Sequence, residues 1–446
     1  MELDRRHTAR SGLSRRTLLN LGMGGAAALT LAGCDRFGGG SASAGGAADS
    51  INMIWWGDAA RSEQTEAMLD VYRGRHSDVT IVTDYADSGP YQDRMATRFA
   101  AGDIPDIMNQ RRDGLREYAD RGTLLNLNDH LDVLDLSDVP DTYPLGRVGD
   151  DLYGIPAGLN AVGFIINTDL AGSYGAEVPD HLTWSWDDLW DFSREITEAA
   201  RSGGDEVYGV DLSFTTIQNL VVWVRQAGED VYTEDGLFGA SEETLAAWFE
   251  MSVEQRESGG LPPAGFLDVT GSSAAESAIA AGRVAGQVIP TNNLEVHGEV
   301  VDGPLQLCRF PGEVQSVRRG MSIDTAMYWS IGAEAPNVEG ALDLLNFIVN
   351  DAEGNAAVGV TRGLPCSEAV AEEIADSLSE ADQESMQYLM DLSEEDLPES
   401  RPDPAGGSAV QDMLTEIDEE VQFGRLTPQE AAARLRETAD SAMGLA

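Results

Sequence analysis

From residue 50 onward, stretches with a hydrophobic period of two alternate with stretches of period 3.6. Ile51-Asn52-Met53-Ile54-Trp55-Trp56-Gly57 is apolar, aromatic and closed by glycine, and predicts a first strand. Ala67, Met68, Val71 and Tyr72 share one face of a helix over 61–75. Val79 to Thr83 alternates as a second strand, Tyr91 to Ala101 predicts a helix stopped by Gly102 and Pro105, and Asp106-Ile107-Met108 starts a third strand. This β-α-β-α-β order indicates an α/β sheet with helices on both faces. In such sheets ligands sit beyond the carboxyl ends of the strands. Those ends carry Trp56 and Asp58, then Asp84, then Asn109 and Gln110. Trp55 and Trp56 point to opposite faces of a strand, and Trp56 is expected on the ligand side.

Ala161 to Asn167 reads as a buried strand, and Trp186 opens a helix with Ser185 as N-cap and Asp188 at the capping-box position. Residues 216–227 and 242–258 predict helices, as do 273–281. Val284 to Ile289 and Ala326 to Ile331 predict strands, a helix is expected over 338–349, and helical segments follow to the end. The acidic stretch from Asp129 to Asp141 reads as a solvated loop. Trp184, Trp186, Trp190, Trp223 and Trp248 are expected in the core, and Asp106 as a structural turn residue.

The first fifty residues have a different character. Residues 1–33 hold five Arg and two acids. Ser14-Arg15-Arg16-Thr17-Leu18-Leu19 resembles a twin-arginine export signal, and Leu31-Ala32-Gly33-Cys34 resembles a lipobox, in which Cys34 becomes the lipidated terminus. The apolar stretch between them is too short and Gly-rich to read as a spanning helix. Gly22-Met23-Gly24-Gly25-Ala26-Ala27 matches a dinucleotide pattern, but it lies inside this apolar stretch with no strand before it. Residues 35–49, rich in Gly, Ser and Ala, predict a flexible tether between lipid and folded body. The chain is thus expected to be exported and held on the outer face of the cytoplasmic membrane.

Charge narrows the function. The 446 residues carry a net charge of −48, and all 29 basic residues are Arg. That balance argues against nucleic acid, which requires clustered basic residues. GC-rich coding accounts for the missing Lys. The acid excess fits adaptation to salt, where hydrated carboxylates keep a protein soluble while ions screen their repulsion. Five scattered His offer no paired zinc ligands, and no cofactor is expected. Two thiols, Cys308 and Cys366, remain besides Cys34, and spacing does not decide whether they pair.

Several landmarks occur in a telling order. They are Gly102-Asp103-Ile104-Pro105-Asp106, Arg121-Gly122-Thr123-Leu124-Leu125-Asn126-Leu127, Tyr153-Gly154-Ile155-Pro156 with Asn167-Thr168-Asp169-Leu170, and Thr183-Trp184-Ser185-Trp186-Asp187-Asp188-Leu189. Ala281-Gly282-Arg283-Val284-Ala285, Ala335-Pro336-Asn337, Gly363-Leu364-Pro365 and the tail from Gly424 to Ala431 follow. Taken together, residues 50–446 resemble the extracellular solute-binding proteins of ABC importers, family 1. The resemblance implies a two-lobed α/β fold of the type II periplasmic-binding kind, with the ligand in a cleft that closes by a hinge motion. It implies an N-lobe of 50–158 and 291–335 and a C-lobe of 159–290 and 336–446. It also implies a non-enzymatic, monomeric receptor that delivers a carbohydrate to a membrane permease.

A sugar presents hydroxyl edges and flat apolar faces, so its site calls for amides, carboxylates, guanidinium groups and aromatic platforms. Strand ends and matched positions give Trp56, Asp58, Asn109, Gln110, Asp113, Asn160, Gln218, Asn292, Trp329 and Arg362 as candidates. Gln110 and Asn292 fall where maltodextrin-binding relatives carry stacking Trp. Fewer platforms and more amides suggest a monosaccharide, disaccharide, polyol or short oligosaccharide. The alternatives are a polyamine or other small polar solute receptor on the same fold, and a secreted glycoside hydrolase with two opposed carboxylates.

Overall fold

A computed structural model describes residues 50–57, 59–140, 143–266 and 273–444, without the side chains of residues 60, 88 and 113. The export signal, the tether, Cys34 and Asp58 lie outside the described residues.

The first half of the chain alternates as its pattern indicates. It runs β1 (Ser50–Trp56), α1 (Ala59–Arg75), β2 (Thr80–Ala86), α2 (Ser88–Ala101), β3 (Ile107–Arg111), α3 (Arg112–Asp120), β4 (Gly146–Val148) and β5 (Asp151–Pro156). Then follow β6 (Val162–Asn167), α4 (Thr168–Ser173), α5 (Trp186–Gly203), β7 (Tyr208–Asp211), α6 (Ile217–Gln226), α7 (Glu242–Ser258), β8 (Val284–Pro290), α8 (Leu294–Gly298) and β9 (Leu305–Cys308). The last part holds β10 (Met327–Ile331), α9 (Val338–Asn350), α10 (Ala352–Val358), α11 (Glu368–Ile374), α12 (Glu380–Ser393), α13 (Gly407–Gln422) and α14 (Pro428–Ala442).

Two sheets form, one in each lobe. The larger has the order β2-β1-β3-β10-β5-β4 and the smaller β7-β8-β6-β9. β1 lies parallel to β2 and β3, while β10 is antiparallel to β3 and β5. Trp55 is buried on the face packed by α1, donating its indole N–H to the Ser62 hydroxyl at 3.2 Å. Trp56 packs on the opposite face, edge-on to Tyr91 of α2. Helix starts follow local chemistry: Ser185 and Asp188 form a reciprocal capping box on α5, and Asn167 and Asn337 cap α4 and α9. Asp106 is fully buried and accepts hydrogen bonds from the Asn52 amide and the Asn337 amide, tying β1 to the start of α9. Trp184, Trp190 and Trp248 are buried, and Trp186 and Trp223 pack against the same core.

Residues 273–281 form a single 3-10 turn and further turns rather than the expected helix. The lobe boundaries also differ from expectation. β9 pairs with β6 and so belongs with the smaller sheet, although 291–335 was expected in the first lobe. α9 and α10 pack on α1, β1 and β10 of the larger sheet, although 336–446 was expected in the second. Strand pairing sets lobe membership, and the chain therefore crosses three times: near 157–161, at 309–326 and at 359–367.

These crossings are bonded to one another. Leu159 and Leu364 exchange backbone hydrogen bonds of 2.7 and 2.9 Å, and Asn160 and Asp324 exchange bonds of 2.9 and 2.7 Å. Cys308 and Cys366 are separate buried thiols, and burial pushes Cys366 up to about 12.

One buried acid makes stability depend on pH. Burial pushes the Asp211 carboxyl, at the end of β7, up to about 6, although Arg256 draws it down. The unfolded value is about 4, so between roughly pH 4 and 6 the native chain holds a proton that the unfolded chain has lost. Stability from this group is therefore greatest near pH 4 and falls as pH rises through 6. Asp382, raised in the same direction by burial and Glu295, adds to the fall. Asp211→Asn is expected to flatten part of this slope and to stabilise the chain at pH 7 by about 1–3 kcal/mol. Urea denaturation at pH 4.5 and pH 7 checks this.

Candidate functional site

A cleft of about 1180 Å³ opens between the two sheets, over the crossings. β1 and β3 end at its edge. Trp56 closes β1, and β3 runs one turn of the pleat further than the sequence suggested, ending at Arg111 with Arg112 opening α3. On the opposite wall α6 presents Ile217, Gln218, Val221, Val222 and Arg225, the i, i+4 spacing of one helical face. Asn160, Asp324 and Thr325 of the crossings and residues of the segments 230–236 and 398–412 complete the lining.

The expected residues divide clearly. Trp56, Asn160, Gln218, Asn292 and Arg362 line the cleft. Trp56 is 9% exposed and Gln218 is exposed. Asn292 donates its side-chain N–H to the Thr361 carbonyl at 3.3 Å, while its Oδ1 is buried without a partner among the described residues. It does not follow a crossing, since the chain goes on through α8 to β9 in the same lobe. Arg362 is 5% exposed, donates to the Thr65 hydroxyl at 2.8 Å and to the Trp56 carbonyl at 3.4 Å, and lies 5.5 Å from the Trp329 ring. It holds the end of β1 against α1.

Asn109, Gln110 and Trp329 are not cleft residues. Asn109 is 1% exposed and pairs across strands with Trp329, which is itself 1% exposed in the core. Gln110 lies on the other face, beside Gly114 of α3. All three sit inside the sheet because β3 and β10 continue past them, so the strand end that opens on the cleft carries Arg111 and Arg112 instead. The side chain of Asp113 and all of Asp58 lie outside the described residues.

What the sequence reading missed is the abundance of arginine. Of the 23 Arg in residues 50–446, nine line the cleft, against seven acids among the described residues. They come from both lobes and are scattered over more than three hundred positions, so no local motif flags them. Arg112 reaches across the gap. It pairs with Asp324 and with Asp403 at 3.3 Å, and donates to the Ser400 hydroxyl at 2.9 Å and the Arg401 carbonyl at 2.5 Å. Arg225 donates to the Ser322 hydroxyl at 2.8 Å and lies 3.7 Å from Asp230, and burial pulls its guanidinium down to about 10.

A family model for bacterial extracellular solute-binding proteins matches residues 56–355. An uncharacterised lipoprotein of Streptomyces antibioticus is 25% identical over 155 residues, 34% of each chain, so the match spans about a third of that curated relative. Among solved structures, an oligogalacturonide-binding protein of Yersinia enterocolitica in complex with saturated digalacturonic acid is 22% identical with a TM-score of 0.74, covering 88% of this chain and 99% of that one. The GacH receptor of Streptomyces glaucescens, solved unliganded and with acarbose, is 17% identical with a TM-score of 0.70, covering 89% and 98%. These neighbours share the two-lobed type II architecture. With two thirds of its length matched by the family model, the chain belongs to the bacterial extracellular solute-binding proteins.

Proposed function

We propose that this chain is the receptor of an ABC importer, capturing a saccharide between its lobes and delivering it to a membrane permease. The observation that carries this reading is the cleft itself. It combines the amides of Asn160, Gln218 and Asn292 with the rings of Trp56 and Tyr232 and the apolar face of Val221 and Val222. Planar amides meet hydroxyl pairs and rings meet sugar faces. The saccharides named for the solved neighbours, digalacturonic acid and acarbose, support this class. Export and lipid attachment at Cys34 complete the proposal, supported by the lipoprotein relative.

A thermal-shift screen of the full chain against saccharides, polyols and polyamines tests the reading. A ligand that binds only the native state raises the melting temperature by mass action. A rise with a saccharide, weakened about tenfold or more in affinity by Trp56→Ala, is expected. A rise with polyamines alone would replace it.

A further inference from the structure

The protein is strongly acidic, yet its cleft is not. Residues 50–446 hold 23 Arg against 73 acids, while among the described residues the cleft lining holds nine Arg against seven acids. Most of those acids already face a guanidinium. Asp324 and Asp403 are held by Arg112, Asp230 by Arg318 at 2.7 Å, and Glu234 and Glu399 by Arg401 at 2.9 and 2.7 Å. The cations are less fully matched. The carboxylate nearest Arg116 among the described residues is Asp120 at 4.0 Å, outside the lining. Arg147 is exposed and donates to the Asp150 carbonyl at 3.4 Å. Arg112 Nε is buried without a partner among the described residues.

A neutral sugar needs no such concentration of guanidinium groups, and a polyamine would meet the wrong sign. An anion approaching a chain of this charge is repelled over most of the surface, so a basic cleft is what would capture it. The planar guanidinium fork matches carboxylate, sulfate and phosphate oxygens in pairs. Resting on the receptor reading above, we infer that the solute is an acidic saccharide, with its sugar faces on Trp56 and α6 and its anionic group held by arginines of the first lobe, Arg116 and Arg147 among them. Arg116 also lies beside Gly236 of the opposite lobe, so an anion held there would lie between the two lobes.

Isothermal titration of the full chain with digalacturonate, a sulfated disaccharide, a sugar phosphate and uncharged galactobiose tests this. At least one acidic sugar is expected to bind about tenfold or more tightly than galactobiose, as a charge-assisted hydrogen bond provides. Which acid binds identifies the anionic group. The preference should shrink between roughly 50 and 500 mM NaCl. It should also shrink in Arg116→Gln/Arg147→Gln, whose ligand-free melting temperature stays that of the parent because both side chains reach solvent. Equal binding of galactobiose, or a preference unmoved by salt and by the double variant, would overturn the inference and leave the receptor reading intact. Failure of every saccharide, charged or not, would overturn both.

Discussion

Arg112→Ala is expected to destabilise the chain by about 3–5 kcal/mol and to let the lobes part. Its side chain leaves α3 of the first lobe and ends among Asp324 of the crossings and Ser400, Arg401 and Asp403 of the lining segment 398–404. Arg112, Asp324 and Asp403 are all less than a quarter exposed, so water screens them little. Removing the cation leaves two shielded carboxylates facing each other's charge. Asp324 keeps the Thr325 amide at 2.7 Å and the Ser400 hydroxyl at 3.1 Å, so part of the network survives. Arg112→Lys retains the charge without the fork and should recover only part of the loss. Urea denaturation measures the stability, and solution scattering would report a larger radius of gyration in Arg112→Ala. An unchanged urea midpoint would show that the bridge contributes nothing.

Gly363→Ala is expected to cost about 3 kcal/mol or more and to force the paired crossings apart. Gly363 has φ of +115°, a backbone region that side chains rarely enter. An added Cβ there would lie 2.4 Å from the Leu159 carbonyl oxygen. Gly158 on the facing crossing is as tight, its Cβ falling 2.4 Å from the Arg362 carbonyl oxygen. These contacts are backbone to backbone, so no side chain can swing aside. The two crossings would have to separate, breaking the Leu159–Leu364 bonds and shifting Arg362, which holds the end of β1 beneath Trp56. Loss of stability, together with weakened affinity for the saccharide proposed above, is the expected pair of results. Thermal melting and titration calorimetry on the same preparation read both, and a variant as stable as the parent would refute the account.

Much of the fold is legible along the chain because its causes are local. A two-residue period places Trp55 and Trp56 on opposite faces wherever that strand lies. Ser185 with Asp188, three residues on, caps a helix through bonds within one turn. Asn167 and Asn337 act in the same way, and Pro105 with Gly102 ends α2 where it ends. Glycine at 158 and 363 is visible too, but the reason for it is not, because each serves the other across some two hundred residues.

The site is where local reasoning stops. The alternation that identifies β3 does not say how far the sheet continues, and pairing with β10 extends it to Arg111. That extension moves Asn109 and Gln110 from the ligand edge into the sheet and puts two arginines at the edge instead. Lobe membership failed for the same reason: hydrogen bonding of β9 to β6, and packing of α9 and α10 on α1, are long-range choices that no window of sequence contains. The chain alone reveals the β-α-β-α-β opening, the landmarks of the family and the overall acidity, and it flags Trp56, Asn160, Gln218, Asn292 and Arg362, which do line the cleft. Only the tertiary structure decided that nine arginines scattered from 61 to 401 converge on that cleft, because electrostatic potential depends on distance through space and not along the chain.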